Sequence, residues 1–191
     1  MTIDLAAQGR RAYRAIETGD VADVRDYIAP TWANREAAAE PPAARGTGPE
    51  AFVATVNWLR TGLSDIRLIE QQAVVAGCTV VSQVTMSGRH TGPIVLQDGV
   101  KLRVAPPSGR RFEVEHVHWS EFDEDGRAVS HFARRDDLSQ VAQLGLLPPT
   151  PGAVWRSLSW AVTGRSAAVR RAFLATSGTT AQLRAFTVAP S

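Results

Sequence analysis

The chain has 191 residues, 44% hydrophobic and 21% charged, a composition ordinary for one soluble globular domain with room for a substantial core. Its formal charge of +2 hides an asymmetry: residues 151–191 carry five arginines and no acidic residue, leaving 19 acidic against 16 basic residues in the first 150. With no compact basic run this argues against nucleic acid as a partner. No apolar stretch approaches the ~20 residues of a membrane span, and MTIDLAAQGR lacks a signal-peptide pattern, so the expectation is a cytoplasmic protein.

From Asp4 to about Tyr27, apolar residues at Leu5, Ala12, Ile16, Val21 and Val24 recur near helical spacing, with a break at Thr18-Gly19-Asp20. The expectation is a long helix, a glycine turn and a short second helix ended by Pro30. Residues 33–48, rich in Pro, Gly and Ala, read as a loop. A third helix is predicted from Gly48-Pro49-Glu50, with proline in its first turn and Phe52, Val56, Leu59 and Leu63 on one face.

After Ser64-Asp65 the pattern becomes that of strands: Ile66–Val75, Thr79–Ser87, Ile94–Val104, Arg111–Phe122 and Ala128–Arg135. Asp98-Gly99 and Asp125-Gly126 are tight-turn signals. The lone cysteine, Cys78, cannot form an intrachain disulfide. Placed at the head of CTVVSQVTM, it reads as a small buried strand residue. Asp136–Leu147 reads as a helical turn with Asp136 as its cap. Beyond Pro148-Pro149-Thr150-Pro151, the tail has helical spacing in two pieces, Val154 to Val162 and Val169 to Leu174. Helices first and antiparallel strands after them mean an α+β domain over residues 1–147, with 148–191 as a Pro-led, arginine-rich helical extension packed on the domain or on a partner subunit.

Taken in order, the TGD and DYIAP stretches, GPEAF with NWLR, SGRHTG, APPSGRRF, EHVHW, FDEDGRAVSHF and VAQLG resemble the SnoaL-like polyketide cyclases of the NTF2-like superfamily. The resemblance implies a cone: a bent antiparallel sheet wrapped around N-terminal helices, with a central apolar pocket, in a homo-oligomer. It also implies natural-product chemistry on a hydrophobic, polyketide-like small molecule with no metal or organic cofactor. In that family the last strand carries His-x-Asp, whose Asp is the catalytic acid/base. Here His131 keeps the histidine place while Ala133 takes the Asp place. The SGRHTG–APPSGRRF connection is about eight residues longer than usual and contains the turn QDG.

His116 and His118 share one strand face with Phe112 and Val114, and His131 shares a face of the next strand with Ala133. By resemblance His118 and His131 look into the pocket and are the candidate acid/base pair, imidazole being suited to proton transfer near neutral pH. Trp32, Trp58, Met86, His90, Phe112, His116 and Ala133 are the expected pocket wall. Two histidines on one strand face with a third nearby approach the count of a three-histidine metal site, but the resemblance implies no metal and no carboxylate sits at the matching positions. No GxSxG, GxGxxG or phosphate-loop motif is present. Two functions fit: a cyclase or rearrangement enzyme whose histidines work on an already reactive substrate, or a non-catalytic small-molecule binding or accessory protein. An aldol cyclase using the standard Asp is not available to a chain with Ala133.

Overall fold

The computed structural model describes residues 3–36, 40–98 and 101–176. Helix α1 (Leu5–Thr18) starts at Asp4, whose carboxylate accepts the Ala7 N–H, and ends at Gly19 in the left-handed conformation. The expected second helix is one tight turn, Val24–Asp26. Strand β1 (Ile28–Asn34) then occupies chain that the sequence assigns to a helix end and a loop. Pro30 removes a backbone donor without harm there, because β1 is the sheet edge and pairs with one neighbour. Helix α2 (Gly48–Gly62) has Pro49 in its first turn and runs directly into β2 (Leu63–Ala76), so Leu63 opens the strand rather than closing the helix.

Strands β3 (Thr79–His90), β6 (Arg111–Phe122) and β7 (Ala128–Arg135) complete a five-stranded sheet in the order β1-β7-β6-β3-β2. All its pairings are antiparallel except β1 with β7, a departure from the expected wholly antiparallel sheet. Register shifts in β2 at Ser64/Arg67 and Glu70/Gln72 and between β6 and β7 at Glu121/Phe122 bend it. The expected run Ile94–Val104 is a separate hairpin, β4 (Ile94–Asp98) and β5 (Lys101–Ala105). Cys78 is exposed beside Gly77 in the two-residue β2–β3 turn; the apolar run continued into the turn and concealed it.

Alternation decides what faces inward. On β6 the even-numbered residues from Phe112 to His118 are buried and the glutamates between them exposed. Ala15 of α1, Phe52 and Val56 of α2, and Ile28, Trp32 and Val80 of the sheet form one apolar cluster. Leu68, Val84, Met86, Phe112 and Leu144 form a second at the other end of the sheet. Asp136 caps α3 (Asp137–Gln143) by accepting the Ser139 N–H at 3.0 Å.

Two further helices, α4 (Pro151–Val162) and α5 (Arg165–Ala175), follow, with Phe173 buried and α5 resting on the β4–β5 hairpin. The rest of the expected extension, including Arg184, lies outside the described residues. Among the described residues no helix is long and apolar enough to cross a membrane.

Candidate active site

Between the two apolar clusters lies a cavity of about 330 Å³, within the range of small-molecule sites. Helices α1 and α2 supply much of its apolar wall, and β1, β6 and β7 a polar one. Of the residues expected to line it, Trp32, Trp58, Met86, His116, His118 and His131 do so. Three do not. His90 is fully buried behind the wall, where its Nδ1 accepts the Ser108 N–H at 3.2 Å and ties the segment before β6 to the end of β3. Phe112 belongs to the second apolar cluster. Ala133, 0% exposed, lies directly across from His118 in the β6–β7 register, its methyl closed off from the cavity.

That register explains how two histidines on different strands meet. His118 pairs with Ala133 and His131 with Ser120, so the two imidazoles are diagonal neighbours on one face. With no side chain beyond Cβ at position 133, the rings lean together until His118 Nδ1 and His131 Nε2 are 2.9 Å apart. His116 stands 5.5 Å from His118, centroid to centroid, and Tyr13 of α1 meets the His118 ring edge-on at 5.5 Å. Nε2 of both His118 and His116 is buried without a protein partner. Among the described residues no three His, Cys, Asp or Glu side chains gather as a metal site; two imidazole nitrogens are turned on each other.

Electrostatics keep these rings neutral. Burial, then the Arg135 guanidinium, lowers His116 to about 4. Burial, Arg135 and His116 lower His131 to about 4. His118 falls well below the ordinary imidazole value through burial and its neighbours His131, His116 and Arg135. Each is therefore an acceptor at neutral pH. Tyr13, by contrast, is pushed up to about 12 by burial and stays a phenol.

Sequence reasoning missed the polar half of the site. Asn34 sits at the end of β1, with Nδ2 on Glu40 Oε1 at 2.7 Å and Oδ1 3.2 Å from His131 Nδ1. Glu40, inside the stretch read as a loop, is 3% exposed and lines the cavity, with Thr55 Oγ1 donating to its second oxygen at 2.5 Å. Burial raises its carboxyl above the usual range. Glu36 accepts the Ala133 N–H at 2.9 Å and pairs with Arg134 and Arg135. A solitary acid in AAAEPPAA was the one signal, and nothing in the sequence separates it from a solvated loop residue.

Residues 7–144 match the SnoaL-like polyketide cyclase family. The aklanonic acid methyl ester cyclase DauD of Streptomyces sp. strain C5 is 34% identical over 148 residues, 77% of this chain and 84% of that protein. The nogalonic acid methyl ester cyclase of Streptomyces nogalater is 34% identical over 69% of this chain and 90% of its own length. Among solved structures, TsrD from Streptomyces laurentii has a TM-score of 0.61 at 26% identity, covering 76% of this chain and 98% of that one. With the bent sheet, the largely apolar cavity and these relatives, the chain belongs to the SnoaL-like polyketide cyclase family.

Proposed function

We propose that this enzyme closes a ring in a polyketide-like substrate within its apolar cavity, using imidazole acid/base chemistry and neither metal nor organic cofactor. The observation that carries this reading is His118: one ring nitrogen held by His131, the other buried without a partner in the cavity wall. His118 Nε2 takes a proton from a carbon next to a substrate carbonyl. The resulting carbanion attacks a second carbonyl, a C–C bond forms, and the new alkoxide recovers the proton from His118. Nothing is lost and nothing is oxidised, so no co-reactant is required. The guanidinium of Arg135, on the cavity wall, is the group available to stabilise the developing oxyanion.

A ring whose pKa lies this low is a weak base, which suits a C–H already acidified by flanking carbonyls rather than an unactivated one. Such a substrate has less need of the carboxylate that Ala133 has replaced, and its correct folding in the cavity supplies much of the rate. A homo-oligomer has support in the outer surface of edge strand β2, where Ile69 and Val74 are about half exposed.

The test uses aklanonic acid methyl ester, the compound in the relatives' names, as probe. Ring closure is followed by chromatography and mass, since the product keeps the substrate's mass. His118→Ala is expected to lower turnover roughly 10²- to 10⁴-fold while probe binding survives. Unchanged turnover in His118→Ala would remove the imidazole from the mechanism.

A further inference from the structure

The amide of Asn34 has one permitted orientation. Its Oδ1 accepts the backbone N–H of Glu36 at 3.2 Å, a group that can only donate. The same oxygen is therefore the acceptor facing His131 Nδ1 at 3.2 Å, so the proton of His131 sits on Nδ1. A neutral imidazole has one N–H. His131 Nε2 is thus bare, and the 2.9 Å contact to His118 Nδ1 places a proton on that atom. This leaves His118 Nε2 bare as well, and it is the atom without a partner. At the other end, Asn34 Nδ2 donates to Glu40 Oε1 and Thr55 donates to Oε2, so both oxygens of this buried carboxylate accept. His118, His131 and Asn34 each point their donor the same way, from the cavity inward to the Glu40 carboxylate, which only accepts.

The geometry points to Asn34 and Glu40 as positioning residues for the base: together they hold His131 and His118 as Nδ1–H tautomers, keep the His118 Nε2 lone pair free on the cavity side, and set a negative charge behind the ring that takes the substrate proton. Their role in catalysis rests on His118 being the base; the tautomers do not. The Nδ1–H form is the less common one for a free histidine side chain in water, so finding it twice in series requires a cause such as this chain. The arrangement also accounts for a carboxylate 3% exposed in a wall otherwise largely apolar. Its two donors satisfy it, and its charge has a use when His118 becomes an imidazolium.

Long-range ¹H–¹⁵N correlation spectra of the full, unliganded chain at neutral pH read each tautomer directly. The expected spectrum has Nε2 unprotonated and Nδ1 protonated for both His118 and His131. Asn34→Ala removes the acceptor, and both rings are expected to redistribute toward Nε2–H. Glu40→Gln keeps the shape and can keep both hydrogen bonds, so the tautomers should persist while the pH at which His118 protonates moves downward. The other titratable or charged groups around this ring are Tyr13 from α1, His116 on β6, Arg135 on β7, Asp137 on α3 and Glu36 beside Arg135, all unchanged in that variant. The accompanying loss in kcat should be smaller than the roughly 10²- to 10⁴-fold loss of the base itself, with KM little changed.

An Nε2–H ring at His118 in the wild-type chain overturns the proposal, as does a tautomer pattern that survives Asn34→Ala. Because the wild-type spectrum alone can refute the arrangement, the test holds if Asn34→Ala does not fold. The spectra need no substrate: both rings as Nδ1–H in a chain without turnover would support the hydrogen-bond chain and count against the cyclase reading.

Discussion

Position 133 shows how one missing side chain reshapes its surroundings. The methyl of Ala133 is fully buried opposite His118, and its backbone N–H is taken by Glu36. The two imidazoles occupy the space that a longer residue on that face would contest. Ala133→Asp therefore sets a carboxylate against His118 in a packed setting. It is expected to raise the pH at which His118 protonates, by opposite-charge attraction, and to cost about 1–3 kcal/mol by overpacking. Histidine NMR titration and urea unfolding would check the two effects; an unmoved His118 titration would mean that the new side chain points elsewhere. At this scale the sequence is informative about residue type and poor on partners. Strand alternation sets His118 and His131 on one face with their neighbours and the family resemblance points that face into the pocket, whereas Asn34 and Glu40 become site residues through contacts between segments that no periodicity encodes.

Among the elements, strands β6 and β7 are legible to the residue because flanking turn residues bound both and the first two-thirds of β6 alternates buried with more exposed positions. Strand β1 is not. Its sequence IAPTWAN contains a proline and no alternation, and it exists because β7 offers an open parallel edge. The junction where α2 becomes β2 is equally hidden, since Leu63 satisfies both a helical and a strand pattern. That junction depends on Gly92. A Cβ there would lie 1.8 Å from the Thr61 carbonyl oxygen, and the Gly92 N–H donates to Gly62 O at 3.0 Å. Gly92→Ala must push the end of α2 away from the segment that leads into β4. The expected cost is about 3 kcal/mol, read as a lower urea midpoint; a cost near zero would mean that the backbone relaxes freely at this point.

For the molecule as a whole, the histidines couple stability to acidity. His90, His116 and His131 are each lowered to about 4 in the folded chain, burial being the first cause, and His118 is lowered well below its usual value. The unfolded chain, with ordinary imidazoles near 6.5, binds more protons between those limits. Stability should therefore be fully present above about pH 6.5 and decline as the pH falls toward 4. Glu40 acts in the opposite sense, its raised carboxyl favouring the fold slightly as the pH drops. Four rings outweigh one carboxyl, and a loss of about 2 kcal/mol or more from pH 7 to pH 5 is expected in urea unfolding. Equal stability at both values would show that the folded cavity tolerates imidazolium.

The β4–β5 hairpin has two clients. Pro93, Ile94 and Val95 form part of the cavity wall, while α5 leans on the same two strands from outside. A wall held this way is a diaphragm: whatever loads the outer helix is felt by the space within. Residues that never approach the substrate can then alter which substrates fit, and the outer helices, which lie beyond the residues that match the family, are a place where selection can retune the enzyme without touching its chemistry.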